Sequence, residues 1–262
     1  YRAGRMEEAR ALSEPLANAG DSKAATMTGF LFEQGLGGKK DEPRAVAYYR
    51  QAAAKNDPDA LVALGRMGLE NKGQISAAET QTFLSRAADV GRADAAGMLG
   101  RAMLDSRFGK RDAAGAAKWL KRAADGGDAD SAYALALQEI DGDGIPADLA
   151  SGIRHLKLAA DKGHAAAMAD YGLMLYQGKA GAAPSKSAAA DWFAKSAKGG
   201  DAEGQFLYAY ALATGEGVAR DPLQAYVWVL RSNAQGVSGA PEYDQDRSKL
   251  KGGLEKILRP DE

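Results

Sequence analysis

Along this chain, small and apolar residues recur at three- and four-residue steps over short segments, and glycine breaks the pattern at regular intervals. Residues 200–236 show it best. Ala202, Gly204, Tyr208, Ala209 and Leu212 fall on one helical face. Gly215, Glu216 and Gly217 then interrupt the run, because glycine reaches left-handed backbone angles at little steric cost and so ends a helix. Asp221 before Pro222 is a start signal, with the aspartate as N-cap and the proline at the first helical position. The second helix carries Ala225, Trp228 and Val229 inward and closes at Gly236. The segment thus predicts two short helices joined by a glycine-rich turn.

Such a hairpin cannot bury enough apolar surface alone, so it must recur if it is to fold. It does. Counting from the large side chain of each second helix to the residue that closes it, Leu12, Tyr48, Phe83, Trp119, His155, Trp192 and Trp228 lead to Gly20, Asn56, Gly91, Gly127, Gly163, Gly200 and Gly236. Every gap is about eight residues and every anchor-to-anchor step about 36, the period of helical solenoids. The expected division is a half-repeat at 1–19, with Ala9, Leu12 and Leu16 on one face. Six repeats follow at 20–56, 57–91, 92–127, 128–163, 164–200 and 201–236, and a capping helix lies within 237–262. In the cap, Leu250, Leu254, Ile257 and Leu258 are expected to cover the last repeat while a charged face meets water. The second repeat is the weakest, with a short turn at Asn71–Gly73 and Thr80 where alanine is usual. Residues 1–4 read as the end of an earlier helix and its turn, which leads us to expect further chain upstream.

Composition supports an all-α solenoid. Alanine makes up roughly a fifth of the chain, which suits helices in close approach. With Lys+Arg at 34 and Asp+Glu at 35 there is no net field to attract a polyanion, so nucleic acid is not an expected partner. No stretch approaches the roughly 20 uninterrupted apolar residues of a membrane span. The absence of cysteine excludes disulfides, thiolate catalysis and thiolate metal sites.

Candidate chemistry is sparse. His155 occupies a large-side-chain slot and reads as packing; His164 follows a closing glycine and is expected to be exposed. Asp141–Gly144 fails as a calcium loop, since Ile145 and Gly152 stand where oxygen ligands are needed. The glycine turns lack the preceding strand of a dinucleotide site. No catalytic residue, metal ligand or cofactor site is assigned.

The pattern G-x-A-x-A-x-x-x-L/Y-G/A, followed by G-x-G-V/I-x-x-D-x-x-x-A-x-x-W-x-x-x-A-A-x-x-G, resembles the Sel1-like repeat family, relatives of tetratricopeptide repeats. Gly200, Ala202, Tyr208, Gly215, Gly217, Val218, Asp221, Ala225, Trp228 and Gly236 match it. His155 departs from its aromatic position, Gly152 from an alanine and Asn56 from the closing glycine. The resemblance implies a right-handed superhelix of helix pairs that serves as a non-enzymatic scaffold or adaptor for protein segments. It also implies a bacterial, exported or periplasmic setting. By analogy with tetratricopeptide arrays, the first helices line a concave groove. This puts Phe30, Arg66, Arg101, Leu137, Leu173 and Tyr210 on one ladder and Tyr133 and Phe206 on its neighbour. The expectation is two arginines that engage a partner's carboxylate, then an apolar, aromatic half that takes apolar side chains. A carbohydrate stacked on Tyr176, Phe206 and Tyr210 is the alternative.

Overall fold

The computed structural model describes residues 2–179, 181, 183–234 and 241–259. Its helices are α1 (Arg2–Asn18), α2 (Ser22–Gln34), α3 (Glu42–Ala54), α4 (Pro58–Leu69), α5 (Ala77–Asp89), α6 (Ala93–Leu104), α7 (Ala113–Asp125), α8 (Ala129–Asp141), α9 (Leu149–Asp161), α10 (Ala165–Tyr176), α11 (Lys186–Lys198), α12 (Ala202–Thr214), α13 (Pro222–Ala234) and α14 (Pro241–Leu258). No strand occurs among the described residues, and the fold is all-α. The chain forms two compact units, Tyr1–Asp128 and Ala129–Glu262. In the first, α2 pairs with α3, α4 with α5 and α6 with α7, and each hairpin stacks on the one before it. In the second, α8 pairs with α9, α10 with α11 and α12 with α13, with α14 packed on α13 and α12. Each unit is therefore a short α-solenoid of helix pairs.

The starts and stops follow from local chemistry. Asp21, Asp41, Asp57, Asp112, Asp148 and Asp201 each accept a hydrogen bond from the backbone N–H three residues on, satisfying a donor the helix cannot. Asp221 does the same for Gln224 at 2.9 Å, just before Pro222. Ser76 and Glu79 form a reciprocal capping box. The residues closing the second helices adopt positive φ, among them Gly20 at 97° and Gly200 at 91°. Asn56 fills the same place at φ 58°, which asparagine tolerates better than most residues. Gly236, and residues 237–240 of the expected cap, lie outside the described residues. At the start, α1 is already helical from Arg2, where a turn was expected.

Side-chain packing refines the expected register. The anchors counted from sequence are mostly half-buried, and for all but Leu12 the more deeply buried knob is the residue after the anchor: Tyr49, Leu84, Leu120, Leu156, Phe193 and Val229. Four of these face a glycine of the first helix in the same hairpin. A Cβ on Gly29 would lie 2.8 Å from Tyr49, one on Gly100 2.7 Å from Leu120, and one on Gly172 2.6 Å from Phe193; Gly65 meets Leu84 in the same way. Leu12 is the exception among the anchors. It is 64% exposed, and Leu16 is exposed too. Of the apolar residues expected on the covering face of α14, Leu254 is fully buried, as is Arg247 on the same helix, while Ile257 and Leu258 are exposed.

Two substitutions test this account. Gly172→Ala is expected to lower stability by roughly 1–3 kcal/mol, because Phe193 has no room to give; an unchanged urea midpoint by circular dichroism would show that the notch is dispensable. Gly252, inside α14, has nothing within 4 Å of where a Cβ would sit. Gly252→Ala should therefore raise stability by about 0.5–1 kcal/mol through helix propensity, and a lowered midpoint would contradict the packing described for α14.

Candidate functional site

In the first unit, α2 and α4 wall an open cleft of about 770 Å³. Met27 and Phe30 line it from α2, Val62, Ala63 and Arg66 from α4, and Tyr49 reaches it from α3. Phe30 is exposed, so it presents apolar surface to the cleft. Arg66 does not stand open. Its guanidinium pairs with Glu33 and, at 3.0 Å, with Glu70. Glu33 is 6% exposed and also accepts a hydrogen bond of 2.9 Å from the Tyr49 hydroxyl. Burial first, and the Glu33 carboxylate second, push the Tyr49 phenol well above its ordinary pKa. Arg66, Glu33 and Tyr49 therefore tie three helices together. Arg101 likewise holds Asp128 at 3.2 Å. Both arginines expected to meet a partner's carboxylate already hold carboxylates of this chain.

In the second unit, the exposed side of α12 separates two apolar hollows. Leu173, Tyr176, Phe193, Leu207 and Tyr210 line one of about 260 Å³. Its rim is closed by Glu216, which takes a hydrogen bond from Tyr176 at 2.5 Å and pairs with Lys186 at 3.3 Å. Those two contacts, Tyr176 first, hold the Glu216 carboxyl below its usual range. The other hollow, about 600 Å³, lies between α12 and α14, with Phe206, Leu207 and Tyr210 facing Leu250, Leu254 and Ile257. The charges at its edge, Lys249 and Asp246, pair with each other at 3.1 Å. Tyr210 is 44% exposed and belongs to both hollows, whereas Phe206 is buried.

The remaining candidates on α8 are placed differently. Leu137 is exposed. The Tyr133 hydroxyl donates to Asp170 at 2.9 Å, and its ring stacks on His164 at 4.3 Å. Burial pushes the Asp170 carboxyl up, with the Tyr133 hydrogen bond pulling it back. His164, expected to be exposed, is mostly covered; its Nδ1 accepts from the Ala167 N–H at 3.1 Å and caps α10. The sequence reading missed the α14 wall, Leu207 and Met27. The three-residue step from Leu207 to Tyr210 is visible in sequence, but the hollow that α14 completes is a tertiary feature.

Nothing in this arrangement forms a nucleophile and base. Glu139 accepts from Ser151 Oγ at 2.9 Å and contacts His155 Nδ1 at 2.7 Å, so the serine bonds to the carboxylate and not to the imidazole. Among the described residues no group of three or more His, Asp or Glu is placed to hold a metal ion, and no helix is long and apolar enough to cross a membrane.

No curated protein sequence matches this chain significantly. Solved structures similar in fold include the following two. A protective antigen of uropathogenic Escherichia coli strains, described as displaying an SLR fold, is 26% identical with a TM-score of 0.82 over 88% of this chain and 50% of its own. A Sel1 repeat protein from Oxalobacter formigenes is 25% identical with a TM-score of 0.75, over 89% of this chain and 68% of its own. The chain thus spans half the length of the first relative. The Sel1 repeat model matches residues 22–57, 93–128, 129–164, 165–201 and 202–237. The α2–α3 hairpin and every hairpin from α6 to α13 fall within those matches, and the chain belongs to the Sel1 repeat family.

Proposed function

We propose that this chain is a non-enzymatic scaffold that holds a segment of a protein partner, with the two hollows beside Tyr210 taking its apolar side chains. Sel1-repeat proteins are generally protein-interaction scaffolds. The observation that carries the finer reading is the exposure of Tyr210 where two apolar hollows meet, with the bordering charges already paired inside the chain. A large aromatic ring flanked by apolar surface is the usual form of an interface anchor. The Phe30 cleft of the first unit is a second apolar contact on the same reasoning, and Leu137 and Leu173 supply further apolar surface. A sugar would need free polar groups beside the rings, yet Glu216 is taken up by Tyr176 and Lys186. That favours protein side chains over carbohydrate.

Partner capture from the source proteome, or on a peptide array, tests the reading. Tyr210→Ala should weaken capture by about tenfold or more, with little change in thermal midpoint because half the ring is in water; undiminished capture would remove these hollows from consideration. Arg66→Ala should behave in the opposite way. It leaves the buried Glu33 with only Tyr49, at a cost of about 1–3 kcal/mol, while capture by the folded fraction is retained. A variant of unchanged stability that loses capture would restore Arg66 to the contact surface.

A further inference from the structure

The first helices of the second unit carry charge of one sign. Along α8, α10 and α12 stand Asp130, Glu139, Asp141, Asp170 and Glu203, and not one Lys or Arg. Their hairpin partners α9, α11 and α13 each carry at least one cation. The first unit supplies a control, since α2, α4 and α6 each hold one acid and one base: Lys23 with Glu33, Asp59 with Arg66 and Asp94 with Arg101. Within the acidic set, Glu139 is already engaged by Ser151 and His155, and Asp141 ends α8. Asp130, Asp170 and Glu203 remain, and they converge. Burial first, and then the carboxylates of Asp170, Glu203 and Asp201, push the Tyr133 phenol well above its ordinary pKa. The Asp130 side chain is 67% exposed, with His164 Nε2 at 3.8 Å. Among the described residues, neither Asp130 nor Asp170 has a Lys or Arg within ion-pair distance.

Register ties these acids to the apolar surface beside Tyr210. Asp170 stands three residues before Leu173 on α10, and Glu203 four before Leu207 on α12, so each acid lies one helical turn, about 5.4 Å, from a side chain lining a hollow. On α8, Asp130 precedes the exposed Leu137 by two turns on the same face. We propose that the segment held beside Tyr210 is basic as well as apolar, with a Lys or Arg side chain meeting Asp170 and Asp130 while its apolar neighbours enter the hollows. The proposal rests on the scaffold reading above and names the chemistry of its partner. A cation placed there gives the half-buried Asp170 a counter-ion that its own chain does not supply, so no internal pair is broken to make the contact. An acidic segment would instead bring like charge against three carboxylates, which costs affinity wherever the apolar fit is the same.

Capture of the full chain on three peptide arrays tests this. The arrays share the same density of Leu, Phe and Met in random order and differ only in carrying Lys and Arg, Ser and Gln, or Asp and Glu between them. The basic array should capture about tenfold or more chain than the acidic one, and the gap should narrow as NaCl rises from about 50 mM to about 500 mM. Asp130→Asn with Asp170→Asn should cut the gap to about threefold or less, asparagine keeping an oxygen for the Tyr133 hydroxyl. Asp130→Lys alone changes only a side chain in water and should narrow it as well. Asp161→Asn with Asp191→Asn makes the same change in net charge on α9 and α11 and should leave it in place. A basic array that captures no more than the acidic one, or a gap that the Asp130 and Asp170 variants leave untouched or that the α9 and α11 control narrows equally, overturns the proposal. If Tyr210→Ala then still weakens capture on every array, the apolar scaffold reading stands without it; capture on none overturns both.

Discussion

The fold depends on a notch. In each hairpin a small residue of the first helix lets the backbones approach until a large side chain of the second helix fits against bare main chain. Gly29, Gly65, Gly100 and Gly172 receive Tyr49, Leu84, Leu120 and Phe193. Ala136 and Ala209 stand in the same register, in the hairpins where Leu156 and Val229 are fully buried. Glycine inside a helix costs up to about 1 kcal/mol relative to alanine, so its recurrence at this register makes sense only if close contact returns more than that. Dispersion at such contacts and the burial of a whole Leu or aromatic side chain, worth roughly 1.5–3 kcal/mol, are large enough to do so. Within each unit the hairpins then join mainly through consecutive helices, as α3 on α4 and α9 on α10, and arginines reach back to an acid of the copy before, as in Arg66 to Glu33, Arg92 to Asp59 and Arg122 to Asp89, each 33 residues apart. The exposed pairs among these are worth well under about 1 kcal/mol, and they add register more than stability.

Departures from the repeat pattern are matched by a change at the position they touch. His155 replaces an aromatic residue, and the first helix offers it Glu139 where other hairpins carry apolar side chains such as Phe32. Gly152 replaces an alanine, and Ile140 fills the space, so that a Cβ there would sit 2.6 Å from it. Thr80 brings a hydroxyl to an alanine position; it is satisfied by the Ser76 carbonyl at 2.8 Å, and Gly68 makes room opposite. Asn56 takes up the left-handed angle and its side chain receives Arg86 at 2.7 Å. In a close-packed interior, a volume or charge added on one helix has to be answered on the next.

This explains what could be read from sequence. The period, the hairpins and the Asp and Pro start signals all rest on near-neighbour rules, and these appear directly in the residues from Asp21 to Asp221. Size marks anchors such as Phe83 and Trp119, while the deepest burial falls on the next residues, Leu84 and Leu120; separating two adjacent positions takes the facing helix. Leu12 has the anchor's spacing as well, yet it is exposed, because spacing alone does not say what packs against a position. Polar outcomes were the least legible. Nothing local says that Arg66 has Glu33 below it, or that His164 turns its ring nitrogen onto the Ala167 N–H.

The same logic bears on recognition. In these hairpins, charged groups with a neighbour in reach tend to be spent on it, as Arg66, Arg101, Lys186 and Lys249 are. Such pairs gain little, yet reclaiming one for a partner would leave a carboxylate of the chain without its counter-ion, and the gain from the new contact would be largely cancelled. Apolar side chains have no such tie. Phe30 and Tyr210 lose nothing within the chain when they are covered, so the free energy of burying them is available to whatever docks. A scaffold that pairs its charges in this way therefore leaves much of its discriminating power to the shape of a few apolar hollows. Hairpins sharing one backbone pattern can then differ in what they hold through the two or three residues that each leaves uncovered.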